Sequence, residues 1–191
     1  MDYHTAFARV IGHEGKFQNN PKDRGNWTTG IVGHGENKGT KFGVSAMSYP
    51  ELDIKNLSLA QAKDVYHRDF WLRVAGDVLH EALVYQLFDA AINHGPGNAI
   101  RMLQRAAKVS DDGDMGEITH RAISDRGIDD MLKLFNAERI DFFTRISTFD
   151  EFGRGWMRRV AHNLRFAADD YAAPCHALSK RDEGPLPRGD A

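Results

Sequence analysis

The stretch His80–Gly95, HEALVYQLFDAAINHG, is apolar nearly all round. A helix with one apolar stripe lies at a surface, whereas a helix that is apolar on every side needs cover from several neighbours. We therefore predict that this segment forms the central buried helix of the molecule. Gly95 is its expected end, because glycine readily adopts the backbone conformations that follow a helix.

The segments around this helix predict a mainly α protein. Ser58 followed by Gln61 is a capping box that opens SLAQAKDVYHRDFW. Helical periodicity recurs downstream in NAIRMLQRAAKV, IDDMLKLFNAERIDFFTRI and GWMRRVAHNLRFAADDY. Residues 12–43, in contrast, hold eight of the 18 glycines, which predicts an irregular or β-hairpin region. The expected architecture is a helical body with a small N-terminal β or loop lobe.

Composition excludes several classes of protein. A net charge of −2 provides no basic field for nucleic acid. Cys175 is the single cysteine, so no intramolecular disulfide forms, and a lone thiol is typical of a protein made in a reducing compartment. The N-terminus has no apolar stretch of signal-peptide length, and no run approaches the ~18 apolar residues of a membrane span. We therefore expect the protein to be made without a signal peptide.

The stretch His13–Gly30, HEGKFQNNPKDRGNWTTG, contains two acidic residues in contrasting surroundings. Glu14 is predicted at the C-terminal end of the first helix, where the helix dipole and apolar neighbours favour the protonated acid that proton donation requires. Asp23 lies nine positions later in a glycine-rich loop that water can solvate. Such a pair is typical of glycoside hydrolysis. From the spacing alone, the favoured interpretation is an exposed helix-end glutamate and an aspartate in an Asx turn.

Three motifs in this region resemble the signature of glycoside hydrolase family 108, a family of phage and bacterial N-acetylmuramidases. Glu14–Phe17, EGKF, is similar to the family's Glu-Gly-Gly-aromatic motif, with Lys16 in place of the second glycine. Asp23–Asn26, DRGN, resembles Asp-x-Gly-Gly, and Thr40–Ser45, TKFGVS, resembles Thr-x-x-Gly-Ile-Thr/Ser. The catalytic glutamate of the family corresponds to Glu14.

The resemblance covers about residues 5–172 and implies a lysozyme-like fold. Residues 1–96 correspond to the muramidase catalytic part, and residues 97–172 correspond to the family's peptidoglycan-binding helical part. Only Gly-Pro-Gly separates the two predicted helices at this boundary, which is the length of a tight helix connection. We therefore expect both parts to pack as one globule. The proline-bearing residues 173–191 are predicted to form a flexible tail.

Two threonines compete for the third position in the catalytic site. Phage-type lysozymes carry a Glu, Asp, Thr set with eight and then five intervening residues, a spacing that Glu14, Asp23 and Thr29 fit. The third family motif indicates Thr40 instead. The predicted catalytic set is Glu14, Asp23 and Thr40, with Thr29 as the rival of Thr40.

Further residues are candidates for binding the wall. Trp27 is predicted to stack on a sugar ring, whereas Trp71, at the end of its helix, is assigned to the core. The amides of Asn26, Asn93 and Gln104, together with His94, could hydrogen-bond sugar hydroxyls or N-acetyl groups, although Asn93, His94 and Gln104 suit a helix-capping role equally well. A basic helix face with Arg154, Arg158, Arg159 and Arg165 could contact anionic stem peptides or outer-membrane phosphates. The same face could equally be solvated surface.

The predicted function is that of a phage-type endolysin, a bacteriolytic and antimicrobial N-acetylmuramidase. It would hydrolyse the β-1,4 bond between N-acetylmuramic acid and N-acetylglucosamine, with Glu14 as general acid. A lytic transglycosylase and a non-catalytic wall-binding or secretion-assisting protein are the alternatives. We expect a monomer that binds peptidoglycan and remains in the host cytoplasm until lysis, when a membrane-permeabilising partner releases it. No cofactor is expected, and no metal, because no two of the nine histidines have the i, i+4 spacing of a helical zinc pair.

Overall fold

A computed structural model describes residues 1–11, 16–74 and 79–172. Glu14 and the predicted tail, with Cys175, lie outside the described residues. Helix α1 spans Tyr3–Ile11, and strands β1 and β2 span Thr40–Lys41 and Val44–Ser45. Helix α2, Leu59–Tyr66, continues through a π-helical segment, His67–Trp71, into α3, Leu72–Val74. The remaining helices are α4 (Glu81–His94), α5 (Pro96–Ala107), α6 (Glu117–Arg126), α7 (Ile128–Thr144) and α8 (Phe149–Ala172).

The mainly α architecture with a small β and loop lobe is confirmed. Ser58 accepts a hydrogen bond from the Gln61 amide at 3.2 Å and donates its own amide to the Gln61 side chain at 2.8 Å, so the predicted capping box starts α2. The strands pair in antiparallel register, Thr40 with Ser45 and Lys41 with Val44. Among the described residues, no helix has the length and apolar composition needed to cross a membrane.

Helix α4 is the central helix that the sequence predicts. All ten residues of Ala82–Ala91 are buried. The helix contacts α1, α3, α5, α7 and α8, which lie in both predicted parts of the chain. Trp71 packs edge-to-face on Phe88 of α4, with ring centroids 5.2 Å apart, and therefore has the core position expected of it.

Helix α1 contacts both predicted parts of the chain, through α4 of the first part and α8 of the second. Arg9 forms a two-pronged ion pair with Asp170 of α8, at 2.7 and 2.8 Å. Its guanidinium also lies 4.5 Å from the ring centre of Phe166, a cation–π geometry. The helix that leads towards Glu14 is thus held against the C-terminal helix.

Three charged side chains and one amide, those of Asp89, Arg139, Arg159 and Asn163, form a cluster where α4, α7 and α8 meet. We call it the Asp89 cluster. Asp89 is 1% exposed, and it accepts hydrogen bonds from Arg139 at 2.6 Å, Asn163 at 2.5 Å and the Arg159 Nε at 2.8 Å. Burial opposes ionisation of Asp89, but the two arginines outweigh it and lower the pKa of this carboxyl. Asp89 is therefore a buried anion whose partners come from residues 97–172.

Asp89→Ala is expected to lower the free energy of unfolding by about 3–5 kcal/mol, because it leaves Arg139 buried without its counter-charge. Asp129→Ala is the matched control, since Asp129 pairs with Lys133 on the exposed side of α7 and such pairs contribute about 0–1 kcal/mol. Urea denaturation followed by circular dichroism measures both effects. Equal losses for the two variants would show that the buried Asp89 pair contributes no more to the free energy of unfolding than an exposed pair does.

Candidate active site

The small lobe is assembled by a short β pairing. The backbones of Gln18 and Thr40 exchange hydrogen bonds of 2.9 and 2.8 Å, and β1 then turns into β2 through Phe42 and Gly43, with φ of 52° and 75°. A Cβ at Gly43 would lie 2.2 Å from the Tyr66 Oη, so only glycine fits there. That hydroxyl donates to the Phe42 carbonyl at 3.1 Å, which attaches the turn to α2.

Asn26 is the buried centre of this lobe, with no exposed surface. Its Nδ2 donates to the Gln18 Oε1 at 2.8 Å and to the Asn20 carbonyl at 3.0 Å. Its Oδ1 accepts from the Thr40 hydroxyl at 2.7 Å and from the Gln18 Nε2 at 3.0 Å. These four bonds use the full capacity of an amide side chain. Asn26 therefore has no free polar atom for the predicted sugar contact. Its bonds instead orient the side chains of Gln18 and Thr40.

Asp23 belongs to the same group, which we call the Asp23 network: Gln18, Asp23, Asn26 and Thr40. One carboxylate oxygen accepts from the Gly25 amide at 2.9 Å, which starts the 3₁₀ turn Arg24–Asn26, and the other accepts from the Gln18 Nε2 at 3.1 Å. Asp23 is nevertheless exposed. It forms the Asx-type turn of the simpler interpretation and still presents a carboxylate with unused lone pairs to solvent.

The two candidate threonines have different surroundings. The Thr40 hydroxyl donates to Asn26, which places it in the Asp23 network. The Thr29 hydroxyl instead donates to the His34 carbonyl at 2.8 Å, within an exposed turn that lies between Asn26 and Thr40 in sequence. The structure thus joins Thr40, and not Thr29, to Asp23.

Trp27 is half-buried, and its indole is fixed by the loop. The Nε1 donates to the Pro21 carbonyl at 3.0 Å, and the backbone forms an antiparallel bridge with Asn37. Trp27 directly follows the buried Asn26 in sequence, so its fixed ring could act as a rigid platform beside the Asp23 network. Its stacking on sugar stays a prediction.

Gln104 supports a turn instead of facing solvent. It is 1% exposed, and its Nε2 donates to Asp112 at 2.7 Å and to the Asp114 carbonyl at 3.0 Å, while its Oε1 accepts from the Gly113 amide at 2.8 Å. The side chain thus organises the acidic turn before α6. Because this amide is buried and its N–H groups are engaged, it is not presented to a sugar as predicted.

Asn93 and His94 lie at the end of α4. Asn93 is exposed and donates to the Asp89 carbonyl at 2.6 Å, so it remains accessible to a ligand. The His94 ring packs edge-to-face on Phe142 and Phe143, and burial lowers the pKa of His94 to about 4. This histidine is therefore a neutral, packed side chain.

The predicted basic face divides into two groups. Arg154, Arg158 and Arg165 are exposed, and within the described ranges no carboxylate pairs with any of them. Arg159 instead points inward to Asp89, with its Nη2 at 2.7 Å, and only 34% of its side chain is exposed. Arg159 thus belongs to the Asp89 cluster. In the part of the chain that is described, no group of three or more potential metal ligands converges.

Comparison with known families identifies both parts of the chain. Residues 7–95 match the family model described as Glycosyl hydrolase 108, and residues 98–161 match the model described as Predicted Peptidoglycan domain. The first part of the chain belongs to the glycosyl hydrolase 108 family. The expected resemblance is confirmed. Together the two matches support a glycosidase that acts on peptidoglycan, with peptidoglycan as its partner.

A solved structure has the same overall fold as this chain. It is titled "Structure of Brucella abortus SagA", with 27% sequence identity and a TM-score of 0.76. The match covers 90% of this chain and 97% of that chain, so the similarity includes both family regions. Comparison with curated protein sequences finds no match.

Gln18 is the residue of the network that the sequence did not single out. It contributes both donors and acceptors to Asp23 and Asn26. Its place between two family motifs, four residues after Glu14, was the available signal. Without the pairing of Gln18 with Thr40, nothing distinguished it from its amide neighbours.

We expect Thr40→Val to lower hydrolysis of purified wall at least tenfold, because it removes a hydroxyl bonded to Asn26 and leaves a buried acceptor short of a partner. Thr40→Ser should retain activity within about threefold, since it keeps the hydroxyl. Thr29→Val should remain within about twofold, because its hydroxyl only closes an exposed turn. Turbidity assays with a thermal-melt control would measure these effects. A larger loss in Thr29→Val than in Thr40→Val would reverse the assignment.

Proposed function

We propose that the protein is an N-acetylmuramidase that hydrolyses the β-1,4 bond between N-acetylmuramic acid and N-acetylglucosamine. The supporting observation is the Asp23 network, which presents a carboxylate and a hydroxyl from one rigid base. Gln18 belongs to that network and lies four residues after Glu14, which the family resemblance makes the general acid. In sequence, the proposed acid is therefore close to a member of the network that carries the proposed carboxylate and hydroxyl.

In this proposal each group has a defined proton role. Glu14 would give its proton to the leaving glycosidic oxygen as the bond to the anomeric carbon breaks. The Asn26 Oδ1 accepts the Thr40 proton, so the Thr40 oxygen can only accept from a water molecule. A water that donates one proton to Thr40 and the other towards Asp23 keeps an oxygen lone pair free for attack on the anomeric carbon. Alternatively, the Asp23 carboxylate stabilises the oxocarbenium-like transition state directly.

Two alternatives differ in a measurable product or in activity itself. A lytic transglycosylase needs one acid and no positioned water, and it leaves a 1,6-anhydro sugar, whereas hydrolysis leaves a reducing end. A non-catalytic wall-binding or secretion-assisting protein would leave the glycan intact. The water-orienting arrangement of Thr40 and Asp23 favours hydrolysis over both.

The biological setting is part of the same proposal. We propose a monomeric, phage-type endolysin that stays in the host cytoplasm until lysis and then degrades the wall, with antimicrobial action when applied to exposed cells. The exposed arginines of α8 would contact anionic stem peptides or the outer-membrane surface. These roles rest on the family resemblance and on the positions of Arg154, Arg158 and Arg165.

Glu14→Gln is expected to lower wall hydrolysis by about 10²–10⁴-fold, because the amide has nearly the same shape and cannot donate the proton. Asp23→Ala should cause a smaller loss, since Thr40 still holds the water. Turbidity assays on permeabilised cells measure both, with circular dichroism as the folding control.

Residual activity of Glu14→Gln above a tenth of wild type would exclude the acid role. A silent Asp23→Ala would reduce Asp23 to a turn residue. Mass spectrometry of the released fragments completes the test, because 1,6-anhydro products would replace the muramidase assignment by the transglycosylase one.

Arg158 and Arg159 are adjacent and should respond differently to the same change. Arg158→Ala should weaken binding to purified wall on the order of threefold at low salt, and high salt should abolish that difference. Arg159→Ala should instead lower the midpoint of urea unfolding, because it removes one of the two cations that balance the buried Asp89 carboxylate. Co-sedimentation with purified wall, in the Glu14→Gln background to prevent lysis, measures binding. If neither the Glu14→Gln protein nor its Arg158→Ala derivative binds wall in a salt-dependent way, a role of the basic face in wall binding is excluded.

A further inference from the structure

The turn that follows Thr40 holds a bulky residue in a disfavoured backbone conformation. Phe42 and Gly43 form this two-residue turn, since Thr40 pairs with Ser45 across it, and their φ angles are 52° and 75°. Hairpin turns with positive φ at both positions are usually built from Asn-Gly or Gly-Gly. A phenylalanine is rare there, because its Cβ crowds the neighbouring carbonyl. A contact from outside the turn is therefore needed to hold Phe42 in this conformation.

Tyr66, the last residue of α2, provides that contact. Its hydroxyl donates to the Phe42 carbonyl at 3.1 Å. Gly43 lies so close to the same hydroxyl that a Cβ at this position would collide with it. Only 6% of Tyr66 is exposed, and burial raises the pKa of its hydroxyl, so the group keeps the proton that it donates. The conformation of the turn thus depends on one buried hydroxyl group.

The turn begins two residues after Thr40, whose hydroxyl is part of the proposed site. On its other side, Thr40 is held by the paired backbone hydrogen bonds with Gln18, at 2.9 and 2.8 Å. These restraints act on the backbone, while the Thr40 side chain donates to Asn26 at 2.7 Å. Because β1 has only two residues, a change in the turn displaces Thr40 directly. The position of the Thr40 hydroxyl relative to Asp23 therefore depends on the turn.

The ring of Tyr66 contacts the helix that leads to the proposed acid. It packs edge-to-face on Phe7 of α1, with ring centroids 5.6 Å apart and an angle of 74° between the ring planes. Phe7 is itself 5% exposed, so the contact is part of the core. Helix α1 ends at Ile11, three residues before Glu14 in sequence. One side chain thus touches both α1 and the turn that follows Thr40.

We propose that Tyr66 is a positioning residue that couples α1 to the hairpin of Thr40, so that the helix leading to Glu14 and the Thr40 hydroxyl keep a fixed separation. The inference rests on the proposed function, because it concerns the two groups between which hydrolysis takes place. Tyr66 is buried and acts through Thr40 instead of on the substrate. Its ring holds α1 and its hydroxyl holds the turn, and the rate depends on how accurately these two supports are aligned.

Tyr66→Phe removes the hydroxyl and keeps the ring on Phe7. On soluble glycan strands prepared from purified wall, kcat should fall about fivefold, because a displaced Thr40 holds the attacking water less accurately. KM should stay within about twofold, since no substrate contact is removed. Tyr49→Phe is the matched control. Its hydroxyl also connects the small lobe to the helical body, through Asp69 at 2.9 Å, but at a point outside the turn.

The control should keep kcat within about twofold of wild type. Equal losses of kcat in Tyr66→Phe and Tyr49→Phe would overturn the proposal, and so would an unchanged kcat in Tyr66→Phe. Circular dichroism melts of each variant ensure that the rates are measured on folded protein.

A double-mutant cycle tests whether Tyr66 acts through Thr40. In the Thr40→Val background, Tyr66→Phe should cost less than about twofold in kcat, because the hydroxyl that the turn positions is already absent. A general structural loss would instead multiply with the effect of Thr40→Val. The same fivefold cost in both backgrounds would therefore exclude the positioning role.

Gly43→Ala decides the matter if Tyr66→Phe does not fold. The added Cβ displaces the Tyr66 hydroxyl from the Phe42 carbonyl and leaves the tyrosine ring in the core. A loss of kcat with unchanged KM, absent in the Thr40→Val background, would support the proposal. An unchanged kcat would overturn it.

A measurement that needs no activity separates this inference from the proposed function. The side-chain amide of Asn26 is bonded to the Thr40 hydroxyl, so its chemical shifts report on that hydroxyl. They should change in Tyr66→Phe and not in Tyr49→Phe. If the wild-type protein does not hydrolyse wall but these shifts change as expected, only the muramidase proposal is wrong. If it hydrolyses wall and Tyr66→Phe changes neither kcat nor the shifts, only the role of Tyr66 is wrong.

Discussion

The buried charge of Asp89 is the constraint on which the rest of the structure depends. A carboxylate with 1% of its surface exposed is stable only when hydrogen-bonded cations surround it. Arg139 of α7 and Arg159 of α8 provide those cations, and both come from the part of the chain that matches the peptidoglycan domain. The central helix of the first family region is therefore stabilised by cations from the second region. The two family regions share one interior.

The candidate site depends on a similar arrangement at smaller scale. Asn26 is buried with all of its polar atoms engaged, and it connects Gln18 on one segment to Thr40 on another. Because each bond fixes the direction of the next, the Thr40 hydroxyl has a defined orientation. An exposed carboxylate and an oriented hydroxyl therefore sit on a rigid base in a lobe with little regular secondary structure.

Sequence patterns predicted the helical body well, because its signals are local or periodic. The apolar run of α4 and the Ser58–Gln61 capping box are of this kind, and both are present. Patterns could not separate Arg158 from Arg159, since one residue of helical rotation decides which reaches Asp89. Nor could they assign Asn26 and Gln104, because the partners of an amide in an irregular loop come from distant positions. The candidate site could be predicted from family motifs, whereas the hydrogen bonds within it could be identified only from the structure.

The shared interior also bears on how such proteins can be recombined. The boundary between the two family matches, at residues 95–98, comprises Gly95, which alone connects α4 to α5, and the first residues of α5, and those helices pack against each other. A replacement for the second region would have to supply an arginine at each place from which Arg139 and Arg159 reach Asp89. In this architecture the second family region is therefore inherited together with the interior of the first, and it cannot be exchanged as an independent domain.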